Sequence, residues 1–403
     1  MGEFSGGGET GEGARHPEAS SRSAIDAFIV MDVMRDANLR EAQGLSVVHM
    51  EVGQPATPAP AAAQRAAIEA LSRGAQLGYT EALGLPSLRA RIARHYQEQY
   101  GIAVDPARVV VTTGSSAGFV LAFLAAFERG GRVALPVPGY PCYRHIATAL
   151  GCEPVSIITG PQTRWMPTAD MVATLARQGR IDGLLLASPA NPTGTMLLPE
   201  PLAEIAGVCR RHGLWFISDE IYHGLTYDRP AQTALAFSED AIVINSFSKY
   251  FSMTGWRVGW MIVPERLVRP LERLQQNLYI SAPAISQVAA LAAMEARDEL
   301  ERNREVYAAN RAILLAGLAE SGLTELAPAD GAFYLYARSD HLGADSLALS
   351  RRLLDEAGVA VTPGADFDAE RGASYLRFSY AGSTEAMREA TARLVTWAHG
   401  ARS

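Results

Sequence analysis

Apolar and polar positions alternate along the chain in two regimes. From about residue 108, short runs rich in Val, Ile and Leu recur between longer amphipathic stretches. That spacing predicts β-strands joined by crossover helices, and therefore a mainly parallel sheet. The expected strands are 108–112, 132–135, 154–158, 183–187, 215–218, 241–245 and 257–263, with helices at 61–73 and 201–212. Beyond Pro283 the pattern changes to a long helical stretch at 286–318, a strand at 333–337 and a helix at 346–358. Strands at 359–362 and 374–380 and a helix at 384–399 follow. This second regime reads as a smaller α+β domain. The organisation expected is a three-layer αβα large domain over 55–299 with a mostly parallel seven-stranded sheet. Segments 24–54 and 300–403 build the small domain. Residues 1–23, rich in Gly, Glu and Ser and without the apolar core of a signal peptide, read as a disordered tail.

Open α/β sheets bind ligands at the carboxyl ends of their strands. Those ends carry Gly114-Ser115-Ser116, Pro138-Gly139-Tyr140, Ser188 to Pro192, Asp219 to Tyr222, and Ser246 to Lys249. Composition sharpens the last of these. Of 36 basic residues in 403, Lys249 is the one lysine and the rest are arginine. Arginine stays protonated at any usable pH, whereas a lysine amine can lose its proton and act as a nucleophile. A lysine spared by chance is the plain alternative, and its surroundings decide between the two.

The net charge of −7, with acids and arginines interspersed, offers no basic stripe for nucleic acid or an anionic membrane. The longest apolar stretch, 119–127, is too short to span a bilayer. Cys142, Cys152 and Cys209 have neither the even count of a disulfide scaffold nor metal-ligand spacing, so no metal site is expected and a reducing cytoplasm fits.

A lysine at a strand end can form a Schiff base, and carbanion chemistry at an amino acid is helped by pyridoxal phosphate (PLP), whose ring is an electron sink. Four demands of that cofactor find candidates. Its phosphate needs amides at a helix start, hydroxyls and a cation, which Gly114, Ser115, Ser116, Ser246, Ser248 and Arg257 supply. A plain helix N-cap would explain the Gly-Ser turn equally well. Its pyridine nitrogen needs a carboxylate. Asp219, costly after so apolar a strand without a partner, is the candidate. Its O3′ needs donors, for which Tyr222 and Asn191 are available, with core packing and a turn as their alternatives. Its ring needs a stacking partner, and Tyr140 can provide one.

As an ordered set, these residues resemble the class I/II aminotransferases of PLP fold type I, the aspartate aminotransferase superfamily. The resemblance runs from about Ser23 to the end. Its most specific pieces are Ser248-Lys249 with Met253-Thr254-Gly255-Trp256-Arg257-Val258-Gly259, Asn191-Pro192-Thr193-Gly194 and Asp219-Glu220-Ile221-Tyr222. Gly78-Tyr79-Thr80, residues 328–334 and Thr362-Pro363-Gly364 add to them.

The resemblance implies that Lys249 carries the cofactor, that Asp219 pairs with its ring nitrogen and that Asn191 and Tyr222 contact O3′. It further implies that Arg377 and the backbone of Gly53 hold the substrate α-carboxylate. Tyr79 would reach the phosphate in a neighbouring subunit, making a homodimer. The expected reaction is ping-pong transamination between an L-amino acid, whether aspartate, aromatic or otherwise apolar, and a 2-oxo acid such as 2-oxoglutarate. Another fold-type-I activity, a C–S β-lyase, decarboxylase or synthase, is the alternative. Residues 25–34 are apolar enough for a helix over the pocket, and packing of the small domain explains them as well.

Overall fold

A computed structural model describes residues 18–343 and 345–400. The expected tail lies outside these for residues 1–17, and Ser21–Ser23 forms one exposed turn. After a two-residue strand β1 at Val48–His49, seven strands form where the aliphatic runs lie. They are β2 Val109–Thr112, β3 Arg132–Val137, β4 Glu153–Ile158, β5 Gly183–Ala187, β6 Trp215–Asp219, β7 Ile242–Ser246 and β8 Gly259–Ile262. They make one sheet of order β2-β8-β7-β6-β5-β3-β4, in which β8 alone runs antiparallel to its neighbours. β5 and β7 are buried at every residue. Helices cover both faces, so the central strands are continuously apolar rather than alternating.

One helical layer contains Ala61–Ser72, Pro86–Tyr100, Ala169–Arg177, Pro199–His212 and Ala284–Ala293. The other contains Gly114–Ala126, Pro141–Ala149 and Glu265–Leu278. The architecture is therefore the expected three-layer αβα arrangement. A further apolar cluster gathers Val48 and Met50, residues between Tyr307 and Leu394, and Tyr222 with Leu225 from beyond the end of β6. Around it β9 Tyr334–Arg338, β11 Thr362–Pro363 and β12 Tyr375–Ser379 form a three-stranded antiparallel sheet, while β1 pairs in parallel with β10 Val359–Ala360.

Two expected elements divide. The strand at 359–362 splits at Val361, because the chain passes there from the β1 pairing to the β12 pairing. The helix at 286–318 breaks into Ala284–Ala293 and Arg297–Glu320. The first half buries Ala289, Ala290 and Ala293 beneath the large sheet, whereas the second crosses to the other cluster with Tyr307, Leu314 and Leu318. The buried Arg91 donates to the Met294 carbonyl at 2.9 Å, which satisfies a backbone group near the break. Among the described residues no helix is long and apolar enough to cross a membrane.

Candidate active site

The carboxyl ends of the strands converge on a cavity of about 190 Å³. One end of it is polar. Gly114 opens the Gly114–Ala126 helix directly behind β2 with a left-handed φ of +77°, and a Cβ at this position would lie 2.2 Å from Arg257 Nη2. Only glycine allows the guanidinium to close over the helix start. Ser115, Ser116, Ser248, Thr254 and Arg257 line this end. Ser246 stands behind them, its hydroxyl 2.9 Å from that of Ser248 and accepting the Ser248 amide at 3.1 Å.

Asp219, at the end of β6, is buried and takes a hydrogen bond from Tyr143 and another from the Ile221 amide at 3.0 Å. Burial pushes its carboxyl up to about 6, against the pull of Tyr143, Ile221 and Lys249. Lys249 Nζ donates to the Gly53 carbonyl at 2.5 Å. Burial first, then the charges of Arg377 and Arg257, push its amine down to about 8, while Asp219 opposes them.

Arg377, in β12, is buried at the other end of the cavity. It donates to Asn191 Oδ1 at 2.9 Å, to Thr362 Oγ1 at 3.0 Å and to the Glu51 carbonyl. Its guanidinium lies 4.4 Å from the Tyr334 ring centroid and 4.8 Å from that of Phe367. The Tyr222 hydroxyl is 2.7 Å from that of Tyr334. A Cβ on Gly53 would fall 1.7 Å from the Tyr334 hydroxyl, so glycine is required for this approach. Tyr140 lines the same cavity, edge-on to Phe28 and Tyr143.

A larger cavity of about 500 Å³ lies between the Pro86–Tyr100 helix and the start of the Arg297–Glu320 helix, but its lining lacks the lysine and the serine cluster. The smaller pocket is therefore the candidate active site. It offers an anion-sized polar end, a buried carboxylate, a depressed amine and a buried arginine in one space. Aminotransferase class I and II is the family whose model matches residues 46–394.

The chain belongs to that family. It is 49% identical to the valine–pyruvate aminotransferase of Mycobacterium tuberculosis over 380 residues, covering 93% of this chain and 97% of that one. A crystal structure of an aminotransferase from the same organism superposes with a TM-score of 0.93 at 48% identity, covering 96% of this chain and all of that one. The aspartate aminotransferase of Thermus thermophilus with maleate superposes at 0.89 and 30% identity, with 94% and 100% coverage. The protein is a PLP-dependent aminotransferase, acting on amino and 2-oxo acids. The residues present fit the cofactor: Arg257 closes over a helix start at Gly114, a donor set that would suit a phosphate, and Asp219 is a buried carboxylate that would suit a ring nitrogen.

Of the residues singled out from the sequence, Gly53, Ser115, Ser116, Tyr140, Asn191, Asp219, Tyr222, Ser248, Lys249, Arg257 and Arg377 line the one cavity. Gly114 and Ser246 adjoin it. Tyr79 does not; it is 83% exposed, outside its own protomer's pocket. Residues beyond that set also line it, some of them from the 25–34 segment considered for a helix over the pocket. Tyr143 shares a helical face with Tyr140, three residues away, and that spacing was the available signal. Tyr334 closes the 328–334 motif, which marked the stretch without singling out this residue. Phe28, Val30 and Met31 come from the helix α1 at Ile29–Ala42 and the residue before it, which starts four residues later than the apolar pattern at 25–34.

Proposed function

We propose that the protein moves the amino group of an apolar L-amino acid of about valine's size to pyruvate, in two half-reactions. One observation carries this reading: the cavity's cations are Lys249, Arg257 and Arg377, and apolar side chains, among them Phe28, Val30, Met31 and Val52, share its wall with aromatic ones. Arg257 belongs to the phosphate end and Arg377 to the α-carboxylate, so neither is free for a distal carboxylate. The name of the M. tuberculosis relative supports the same donor and acceptor. In this reading aspartate is the poorer donor.

The site residues take these roles in the proposal. Gly114, Ser115, Ser116, Ser246, Ser248 and Arg257 hold the phosphate, Asp219 faces the ring nitrogen, Asn191 and Tyr222 face O3′ and Tyr140 packs on the ring. Arg377 grips the substrate carboxylate as a fork, with Asn191 and the Gly53 backbone beside it. Bound PLP supplies the sink for the electron pair left when the substrate Cα loses its proton. Lys249 Nζ accepts that proton and returns it, a shuttle suited to an amine held near 8. Tyr143 orients Asp219 through its hydrogen bond.

The protein is a homodimer in this reading, with Tyr79 reaching the partner's phosphate end. Support comes from the exposure of Tyr79, Leu278 and Ile280, brought together where the Thr80 amide donates to the Ser281 hydroxyl at 3.3 Å. The division into a large domain, 55–299, and a small one, 24–54 with 300–403, is supported by the separate apolar clusters. Free Cys142, Cys152 and Cys209 support a cytoplasmic setting. The test of the substrates mixes the cofactor-loaded protein with single amino acids and follows bleaching of its visible absorbance. Valine, alanine and leucine are expected to bleach it and pyruvate to restore it. Faster bleaching by aspartate overturns the proposal.

A further inference from the structure

The wall that faces the substrate begins with α1, and its first turn is unusual in how it is held. The residue before it, Phe28, makes no side-chain cap, and residues 21–27 are exposed. Two amides at a helix start need an acceptor. They find it 337 and 336 residues away. Asp366, fully buried, accepts the Ile29 amide through Oδ1 at 3.1 Å and the Val30 amide through Oδ2 at 3.3 Å. Among the described residues no other side chain bonds these amides.

The turn that presents Asp366 is fixed to both halves of the site. It is the helical turn Gly364–Asp366, and a Cβ on Gly364 would lie 2.4 Å from the Gly372 carbonyl oxygen, so two backbone segments meet there with no room for a side chain. Arg371 then donates to the Thr159 and Val137 carbonyls, at 2.9 and 3.0 Å, beside the end of β3. Arg144 donates to the Asp366 carbonyl at 2.9 Å, and the Gly139 amide to that of Phe367 at 3.1 Å. The ring of Phe367 packs on Arg377. A single turn thus backs the carboxylate-binding arginine with one residue and caps the apolar wall with the residue before it.

We propose that Asp366 is a specificity-determining positioning residue: its carboxylate docks the first turn of α1 against the substrate cavity, and that turn sets the space left for the donor's side chain. The inference rests on the substrate reading above only in its kinetic arm. Asp366→Ala removes both acceptors, and Asp366→Asn keeps one. Losing a helix cap of this kind corresponds to roughly a tenfold change in local opening. Amide hydrogen exchange at residues 29–34 should therefore quicken about tenfold in Asp366→Ala and less in Asp366→Asn. Cofactor affinity should stay as in the parent. KM for valine-sized donors should rise about tenfold with kcat within about twofold, and larger apolar donors should lose less, so that the preference narrows. Unchanged exchange at 29–34, or faster exchange with an unchanged donor preference, overturns the proposal. If Asp366→Ala fails to fold or to hold cofactor, Asp366→Asn decides by the same two readings. Should no apolar donor bleach the parent protein, the substrate reading fails, and the exchange measurement still supports or overturns the docking.

Discussion

At Lys249 an ammonium is opposed by burial and by two guanidinium groups, and favoured by Asp219 alone. The amine is protonated below about 8 and free above it, more than two units before an exposed lysine releases its proton. With no second lysine in the chain, an amine-selective acylating reagent has the N-terminal α-amine as its other target, and peptide mapping separates that label from the one on Lys249. Its rate at Lys249 in the cofactor-free protein should climb with a midpoint near 8, and a midpoint above 10 would refute the electrostatic account. Lys249→Arg substitutes a permanent cation, so turnover should fall by about 10⁴ or more, and borohydride should leave no cofactor on the chain. Much of this site was legible because Lys249, Asp219, Asn191 and Arg257 each declare their chemistry beside an apolar strand. Tyr143, Tyr334 and Asp366 were not, since their importance lies in partners 76, 112 and more than 300 residues away. No local pattern encodes those pairings.

Among the elements, the Gly114–Ala126 helix shows how a start signal is matched to a cation. A side chain at Gly114 would be strained by φ +77° and would displace Arg257. Gly114→Ala should weaken cofactor affinity by about tenfold or more, read by absorbance titration, because both the helix start and its cation shift. An unaltered affinity would show that Arg257 has another place to sit. The strands were readable to within a few residues, for their aliphatic runs have one way to be buried between two helical layers. The break between Ala293 and Arg297 was not, because both flanking segments are helical in pattern. Only their packing into different cores separates them. The same reason conceals the start of α1, whose first turn is defined by Asp366 rather than by any residue near it.

For the whole molecule, the assembly is the open measurement. Sedimentation should give a mass about twice 43.2 kDa. Leu278→Glu combined with Ile280→Glu should shift it towards the monomer and weaken cofactor binding. Tyr79→Phe should weaken binding several-fold with the mass unaltered. A fully active monomer would sink the shared-site proposal. Connection between the clusters is a different matter, and the Arg297–Glu320 helix is one element that spans them. It is held at Leu300 by the large sheet's core and at Leu318 by the other. Its 24 residues make a rod of about 36 Å at ~1.5 Å per residue. A rod of that length is a lever. Tilting it by about 5° about its Leu300 end carries the far end roughly 3 Å, by the same helical dimensions. A shift of that size is comparable to the width of a methyl group in the cavity that β12 and α1 line.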